Sequence, residues 1–362
     1  MNGLEIWAPI AAAADVHIPD SHKLPIAIIG AGAIVDGAHL PAYAKEQLEI
    51  VGIYDVDGAR AAEVAERHGI PRVYSHQAEL LEDEAVRVVD VAVPAAHQPA
   101  IVRAAIAAGK DMLCQKPFAE QVPVAKELAE LARAEGIKIA VNQQMRYEEG
   151  MAAARAMVTA GWIGTLTNVY FEVDIRTNFS LWPWLLTAPR YDLAYHSIHY
   201  LDSIRALAGD PSRVFCAVNR RPGQATTAET RTLQTLVFDS GVTAGLHVNH
   251  ENEAGDQKAE FRIDGSLGTI RGTLGLLYDY PLGRPDTLEL YSSVVPTDGW
   301  LPYPITRRWI DDAFIGPMAG LLNWIATDEV APTNALDNVG TLALVDALYT
   351  SASTGEAQSV RW

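Results

Sequence analysis

Three groups of residues in this 362-residue chain could do chemistry by their type and spacing. The first is IIGAGAIV, which sets Gly30 and Gly32 between an apolar run and a helical pattern. Without Cβ atoms the backbone there can approach a pyrophosphate. The helix start beyond it, at Ala33 and Ile34, offers N–H donors and partial positive charge. The third position of the G-x-G-x-x-G pattern is Val35, which weakens the motif taken alone. Asp55 ends the next apolar run, 23 residues after Gly32, where a ribose-binding carboxylate is expected. Val56 follows it, so nothing basic is at hand to neutralise a 2′-phosphate, and NAD is favoured over NADP. Pro94, closing VVDVAVP, is placed at the same ligand edge. Each feature has a structural reading: a tight bend for the glycines, a helix cap for Asp55 in DVDGA. Together and in register they point to a dinucleotide.

The second group is MLCQKPFAE, with Gln115, Lys116 and Pro117 at the C-terminal end of a strand-like run. In an open α/β sheet that edge faces the ligand crevice, and the Gln115–Lys116 pair would border the cofactor. A lysine there can donate to a substrate oxygen and stabilise negative charge as a hydride leaves or arrives. Pro117 could set a tight cis turn that aims it. The alternative is an exposed lysine at a strand end. Gln143, Gln144 and Arg146 follow the next apolar run at the same edge. Amide side chains there suit hydroxyl recognition; solvation in a loop is the other reading.

The third group is YDLAYHSIHYLDSIR, with His196 and His199. An imidazole of unperturbed pKa about 6.5 can take up a proton near neutral pH. Tyr195 lies four residues before His199, so on a helix the two share a face. Both histidines could equally be hydrogen-bonded helix residues. Metal binding is a further reading of His196, His199 and Asp202, and HVNH adds His247 and His250, expected on one strand face. With no Cys cluster and no HExxH, no required metal is expected. Asp174 and Arg176 could line a sugar pocket or pair with each other. Trp182-Pro183-Trp184 could form an aromatic wall or pack on another subunit.

The elements that must position these residues change character along the chain. From Leu24 to about Val141, the runs LPIAIIG, LEIVGIYD, VVDVAVP, KDMLCQKP and IKIAVNQ alternate with helical stretches such as GARAAEVAERHG and QPAIVRAAIAAGK. Short Val- and Ile-rich runs of this kind are buried parallel strands, and the alternation predicts a doubly wound α/β sheet. After Arg146, LTNVYFEVDI, RVFCAVNR, RTLQTLVFD, VTAGLHVNHE, KAEFRIDG and TIRGTLGLLYDY read as longer, partly alternating strands. One strong helix interrupts, His199–Ala208, and two close the chain, near Phe314–Thr327 and Asn338–Ala352. The expected organisation is an N-terminal extension (1–23), a Rossmann-type domain (24–145) and an α+β domain with a large, mainly antiparallel open sheet (146–362), its closing helix at about 337–353. The extension carries an apolar patch, Ile6 to Ala14, and reads as a strand or arm that could pack on a partner subunit.

Composition bounds the partners. Hydrophobic residues make up 49% of the chain, enough for real cores, and the net charge of −17 argues against nucleic acid. No run of 18 apolar residues exists, so no membrane span is expected. The start of the chain lacks the basic residues of a signal peptide. The two cysteines, Cys114 and Cys216, suit a reducing compartment, and a cytoplasmic location is expected.

AGKDMLCQKPFA resembles the AGKxVLCEKPxA signature of the glucose–fructose oxidoreductase / inositol dehydrogenase (Gfo/Idh/MocA) family. The resemblance runs from about Leu24 to Tyr349, through GAGAIVDGAHLPAY, IVGIYDVDGARA, NQQMRY, SIHYLDSIRALAGDP and DNVGTLALVDALYTSA. It implies a Rossmann domain followed by a domain with a large, mainly antiparallel sheet, and assembly into dimers or tetramers. It also implies a DxGxHxxD pattern whose histidine shuttles a proton. Asp192 and His196 fit its first half; His199 and Asp202 fit its second, with Arg205, Gly209 and Pro211 then in line. The second register is chosen, which puts Tyr195 at the family's Asp and Ser197 at its Gly, and His199 against the substrate. Gln115 replaces the family's Glu, so support for Lys116 must come from elsewhere. The expected function is NAD-dependent oxidation of a secondary hydroxyl of a sugar, inositol or related polyol. Lys116 and His199 would be catalytic, Tyr195 and His196 beside them, and Gln144, Arg146 and Asp174 on the substrate. The alternatives are a non-catalytic dinucleotide and sugar sensor, or an enzyme that keeps its NAD and uses it transiently, in oxidoreduction or lyase chemistry.

Overall fold

The computed structural model describes residues 5–278, 280, 283–296 and 298–362. They form two compact units. One comprises Val16–Tyr147 with Trp309–Val339; the other comprises the residues up to Asp15, Glu148–Arg308 and Gly340–Trp362. The segment 309–339 thus folds with the parallel sheet, although it follows the second sheet in sequence.

The chain opens with helix α1 (Ala8–Ala14), which belongs to the second unit. The first unit then alternates strand and helix: β1 (Ile26–Ile29), α2 (Leu40–Lys45), β2 (Ile50–Tyr54), α3 (Gly58–His68), α4 (Gln77–Glu82) and β3 (Val88–Val91). It continues with α5 (Gln98–Ala107), β4 (Asp111–Cys114), α6 (Val122–Ala134) and β5 (Ile139–Val141). The five strands are parallel, in the order β2-β1-β3-β4-β5. Every side chain of β1 and β3 is buried, which is why these strands read as unbroken apolar runs. Local signals set the helix ends. Asp57 caps α3 by accepting the Arg60 amide at 3.2 Å, and Gly69, at φ +68°, stops it.

In the second unit, α7 (Glu149–Thr159), β6 (Leu166–Asp174), α8 (Ile198–Ala208), β7 (Arg213–Asn219), β8 (Arg231–Val237) and β9 (Thr243–Asn249) are followed by β10 (Lys258–Gly265), β11 (Gly268–Thr273), β12 (Thr287–Ser292) and β13 (Leu301–Pro302). After α9 (Ile315–Thr327), which lies against β4 and β5 in the first unit, come α10 (Ala335–Thr354) and β14 (Gln358–Ser359). The sheet order is β13-β12-β11-β10-β6-β9-β8-β7-β14, antiparallel throughout except for the β6–β9 pair. Its inner face buries Val169, Phe171 and Val173 from β6, with Phe171 stacked on Tyr200 of α8 at 5.2 Å. Each such burial stabilises by about 1.5–3 kcal/mol. The outer face leaves Tyr170, Phe215, Leu233 and Tyr291 exposed.

Three expectations change. The stretch GMAAARAMVTAGW, read as part of the strand-rich region, forms helix α7. Its first turn is capped by Glu148, whose carboxylate accepts the Gly150 and Met151 amides at 2.7 and 2.8 Å. The N-terminal patch is helix α1 and packs on α7 of its own chain, with Trp7 against Trp162 and Tyr303. Burial of Trp7 and Ile10 supplies the reason: the patch has an apolar surface to cover within this chain. Residues 1–4 of the expected extension lie outside the described residues. In TIRGTLGLLYDY the strand stops at Thr273 and a 3-10 turn, Gly275–Leu277, follows; Asp279 of that run lies outside the described residues.

Candidate functional site

In the parallel-sheet unit the glycine turn follows β1, and Gly30 is fixed in it for a steric reason. Its φ is +110°, and a Cβ there would lie 2.4 Å from the Ala92 carbonyl oxygen after β3. Its N–H donates to Tyr54 O at 2.7 Å, tying the turn to the end of β2. Gly32 differs: a Cβ on it would meet nothing within 4 Å, so the backbone borders open space where the helical segment begins at Ala33. Ala33 is exposed and Ile34 half-buried. Val35, at the third glycine position, is fully buried, and the helix is π-wound from Val35 to His39. Asp55 reaches the same turn: one carboxylate oxygen accepts the Ala31 amide at 2.7 Å, the other the Asp57 amide at 2.8 Å. Val56 beside it is 93% exposed, and Pro94 is exposed beyond β3. The open side of Gly32, the adjacent helix start and the carboxylate fit a dinucleotide's pyrophosphate and ribose.

Lys116 stands just past β4, and the Lys116–Pro117 bond is cis. The turn is held from both sides. The Gln98 amide donates to Gln115 O at 2.8 Å and to Pro117 O at 2.9 Å. The Gln115 side chain accepts the Lys116 N–H through Oε1 at 2.7 Å and directs Nε2 at His39 Nε2, 3.2 Å away. Asn142 Nδ2 approaches the same ring nitrogen at 3.1 Å. The other ring nitrogen meets Asp90 Oδ2 at 2.7 Å, and Tyr43 donates to that oxygen at 2.7 Å. With the amides donating, His39 accepts at Nε2 and carries its proton on Nδ1. Gln115 therefore braces the backbone of Lys116 through a buried Asp–His pair. Burial pushes the Lys116 ammonium down to about 8. Nothing in the sequence marked His39 or Asp90: each sits inside an element that reads as ordinary core.

Gln143 and Gln144 are buried after β5, and Gln144 Oε1 has no hydrogen-bond partner among the described residues. Arg146, also buried, donates to Pro332 O at 2.9 Å and to Asp337 at 2.7 Å, tying its turn to the segment before α10 and to that helix's first turn.

In the other unit, Asp192–His196 is a π-wound turn running into α8. Turns of this kind are frequent at functional sites. Asp192 is fully buried. Its Oδ2 accepts from Ser197 Oγ at 2.8 Å and Thr232 Oγ1 at 2.5 Å. Its Oδ1 faces His250 Nε2 at 2.9 Å and His196 Nδ1 at 3.5 Å. Burial works against this carboxylate's charge, but its bonds to His196 and His250 win and hold it well below the usual range. His199 is buried on α8, and Asp202 accepts from Thr341 at 2.7 Å. Tyr195 is half-buried, edge-on to Trp184 at 5.0 Å, while Trp182 packs on Tyr280. Asp174, at the end of β6, accepts from Asn249 at 2.6 Å; Arg176 pairs with Glu253 rather than with Asp174. His247 and His250 do not share a face. Three residues apart on a strand they point oppositely, and His250 is buried while His247 is half-buried. The Asp192–His250 contact joins residues 58 apart, beyond any local spacing signal.

A parallel sheet with a glycine turn and a carboxylate at the end of its second strand, followed by an open mixed sheet, is the architecture of a Rossmann-type nucleotide-dependent oxidoreductase. The chain belongs to the Gfo/Idh/MocA family. Residues 24–143 match its oxidoreductase domain with NAD-binding Rossmann fold, and residues 151–271 its C-terminal domain. The chain is 28% identical over 346 residues to D-apiose dehydrogenase of Paraburkholderia graminis, covering 92% of this chain and 89% of that one. It is 22% identical over 335 residues to D-xylose 1-dehydrogenase (NADP(+)) 2 of Haloferax volcanii, covering 91% and 98%. Among solved structures it resembles an oxidoreductase from Agrobacterium radiobacter in complex with NAD+, L-tartaric acid and magnesium. The TM-score there is 0.83 at 25% identity, covering 93% of this chain and 98% of that one. No described helix is long and apolar enough to cross a membrane.

Proposed function

We propose that this protein is an NAD-dependent dehydrogenase that oxidises a secondary hydroxyl of a sugar, inositol or related polyol. The observation that carries the reading is Lys116. The residue is half-buried at the ligand edge of a nucleotide-binding sheet, on a turn braced by Gln98, Gln115 and the His39–Asp90 pair. The names of the relatives, sugar dehydrogenases among them, support the substrate class.

Residues 24–145 are taken as the cofactor-binding domain, with 309–339 folded onto its sheet, and the remainder of 146–362 as the substrate-binding part. Gly30, Gly32, Ala33 and Ile34 would hold the pyrophosphate, Asp55 and Val56 the adenosine ribose and its surroundings, and Pro94, Gln115 and Lys116 the nicotinamide end. When bound, NAD supplies the hydride acceptor. The negative charge of Asp55 repels a 2′-phosphate, which favours NAD over NADP. Lys116 donates to the substrate oxygen and steadies charge as it develops there. His199 takes the hydroxyl proton, with Tyr195 on its helical neighbourhood to orient it. Gln144, with a buried acceptor to satisfy, and Asp174 are candidates for other hydroxyls.

Absorbance of NADH is the direct test, with NAD and a panel of pentoses, hexoses, inositols and anhydrosugars. At least one is expected to give NADH. Lys116 loses its charge as pH rises through about 8, so turnover should fall on that alkaline limb. NAD-loaded protein that forms no NADH with any of them, at any pH, would favour a sensor or a transiently used cofactor and sink this reading.

The outer sheet face, with Tyr170, Phe215, Leu233 and Tyr291 exposed, supports assembly through that face into a homodimer or homotetramer. Sedimentation should show a dimer or larger, and Leu233→Glu should shift it toward monomer. A wild-type chain that sediments as a monomer at all concentrations contradicts this.

A further inference from the structure

We propose that Asp192, His196 and His250 form a binding site for a divalent late first-row metal ion, zinc foremost. One nitrogen of each imidazole and one carboxylate oxygen lie within 4.8 Å of one another, so that small rotations of the two rings would draw all three to the metal–ligand distances of about 2.0–2.2 Å that zinc takes. The atoms around them are arranged as the outer groups of such a site are. Asp192 Oδ2 is occupied by the Ser197 and Thr232 hydroxyls, which leaves Oδ1 turned toward the two rings. A ligating nitrogen must be bare, so each ring proton has to sit on the far nitrogen and find an acceptor there. His250 Nδ1 has Thr177 Oγ1 at 2.8 Å and the Tyr191 hydroxyl at 3.2 Å. His196 Nε2 has the Tyr200 hydroxyl at 3.3 Å. Metal binding would replace the contacts that His250 Nε2 and His196 Nδ1 make to Asp192 Oδ1, and the displaced ring protons have these oxygens to go to.

The donor set selects the ion. Two imidazoles and one carboxylate suit zinc and its neighbours; magnesium and calcium take oxygen ligands. Three protein ligands leave a fourth position open to water or to a hydroxyl oxygen. The ion would pin the π-wound turn before α8 to the end of β9, next to the helix that carries His199. With its Nδ1 on the ion, His196 is no proton shuttle, and that role stays with His199. The inference does not rest on the dehydrogenase reading, because its test reads metal rather than turnover.

The full chain, stripped with chelator, dialysed against zinc chloride and desalted, should retain roughly one zinc per chain by elemental mass spectrometry. His196→Ala and His250→Ala should lose it. Thr177→Val keeps all three ligands and removes only an outer partner, so it should weaken zinc affinity by about 10–100-fold with the circular dichroism spectrum unchanged. If His250→Ala fails to fold, the other two variants decide. Wild-type protein that retains no zinc, or variants that hold as much as wild type, would mean a purely hydrogen-bonded trio and overturn the proposal.

Discussion

Lys116→Ala should lower turnover by about 10²–10³-fold, the loss of about 2.7–4 kcal/mol that follows removal of one donor to a developing oxyanion. The Lys116 ammonium is the group that the fold invests in at this edge. Gln98 bonds the carbonyls on either side of it, and Gln115 bonds its amide. Those contacts are to backbone, so they persist in the variant and the sheet should melt as in wild type. The variant should also lose the alkaline limb near pH 8, because the titrating group is gone. Lys116→Arg should recover little: a planar guanidinium does not place its donors where a compact ammonium does. Steady-state NADH formation with the best polyol of the panel measures all three. Turnover of Lys116→Ala within a few-fold of wild type would remove the residue from the chemistry.

Gly30→Ala and Gly32→Ala should fail in different ways, and the difference tests the phosphate turn. At Gly30 the new Cβ would lie 2.4 Å from Ala92 O, on a backbone at φ +110°. Strain of this kind costs of order 1–3 kcal/mol, and the clash adds to it. Each kcal/mol lowers the melting temperature of a cooperative unit of about 150–250 residues by about 2–4 °C. Gly30→Ala should therefore melt several degrees lower and lose dinucleotide affinity as its turn shifts. At Gly32 a Cβ meets nothing within 4 Å. Gly32→Ala should melt like wild type, yet bind NAD at least about tenfold more weakly, about 1.4 kcal/mol, because its methyl occupies the space the pyrophosphate needs. Thermal melts and NADH fluorescence titrations separate the two. Unchanged NAD affinity in Gly32→Ala would place the phosphates elsewhere.

Much of the fold was legible because its signals are local. Five short apolar runs became the five parallel strands, and burial on both faces is what made the inner strands β1 and β3 apolar throughout. The helix read from His199 to Ala208 spans Ile198–Ala208, and those near 314–327 and 338–352 span Ile315–Thr327 and Ala335–Thr354. Helix α7 was missed because its alanine-rich stretch follows a polar NQQMRY turn and carries a weak face pattern; its cap, Glu148, is not a typical N-cap residue. Of the candidate site residues, Gly30, Asp55 and Lys116 are marked in the sequence by a turn or a strand end. The supports are not. His39 meets Asp90 across 51 residues, and Asp192 meets His250 across 58. No periodicity encodes such pairs, since only the sheet order brings them together. Arg146 was legible by position alone; that its guanidinium donates to Pro332 O and Asp337 was not, because those partners lie 186 and 191 residues away.

The claim beneath the rest is that the backbone from Gly30 to Ile34, with Asp55, holds NAD. Isothermal titration of the purified full chain with NAD and with NADH tests it most directly. One site per chain for each is expected, with NADP bound more weakly; no heat with either oxidised or reduced coenzyme would contradict it.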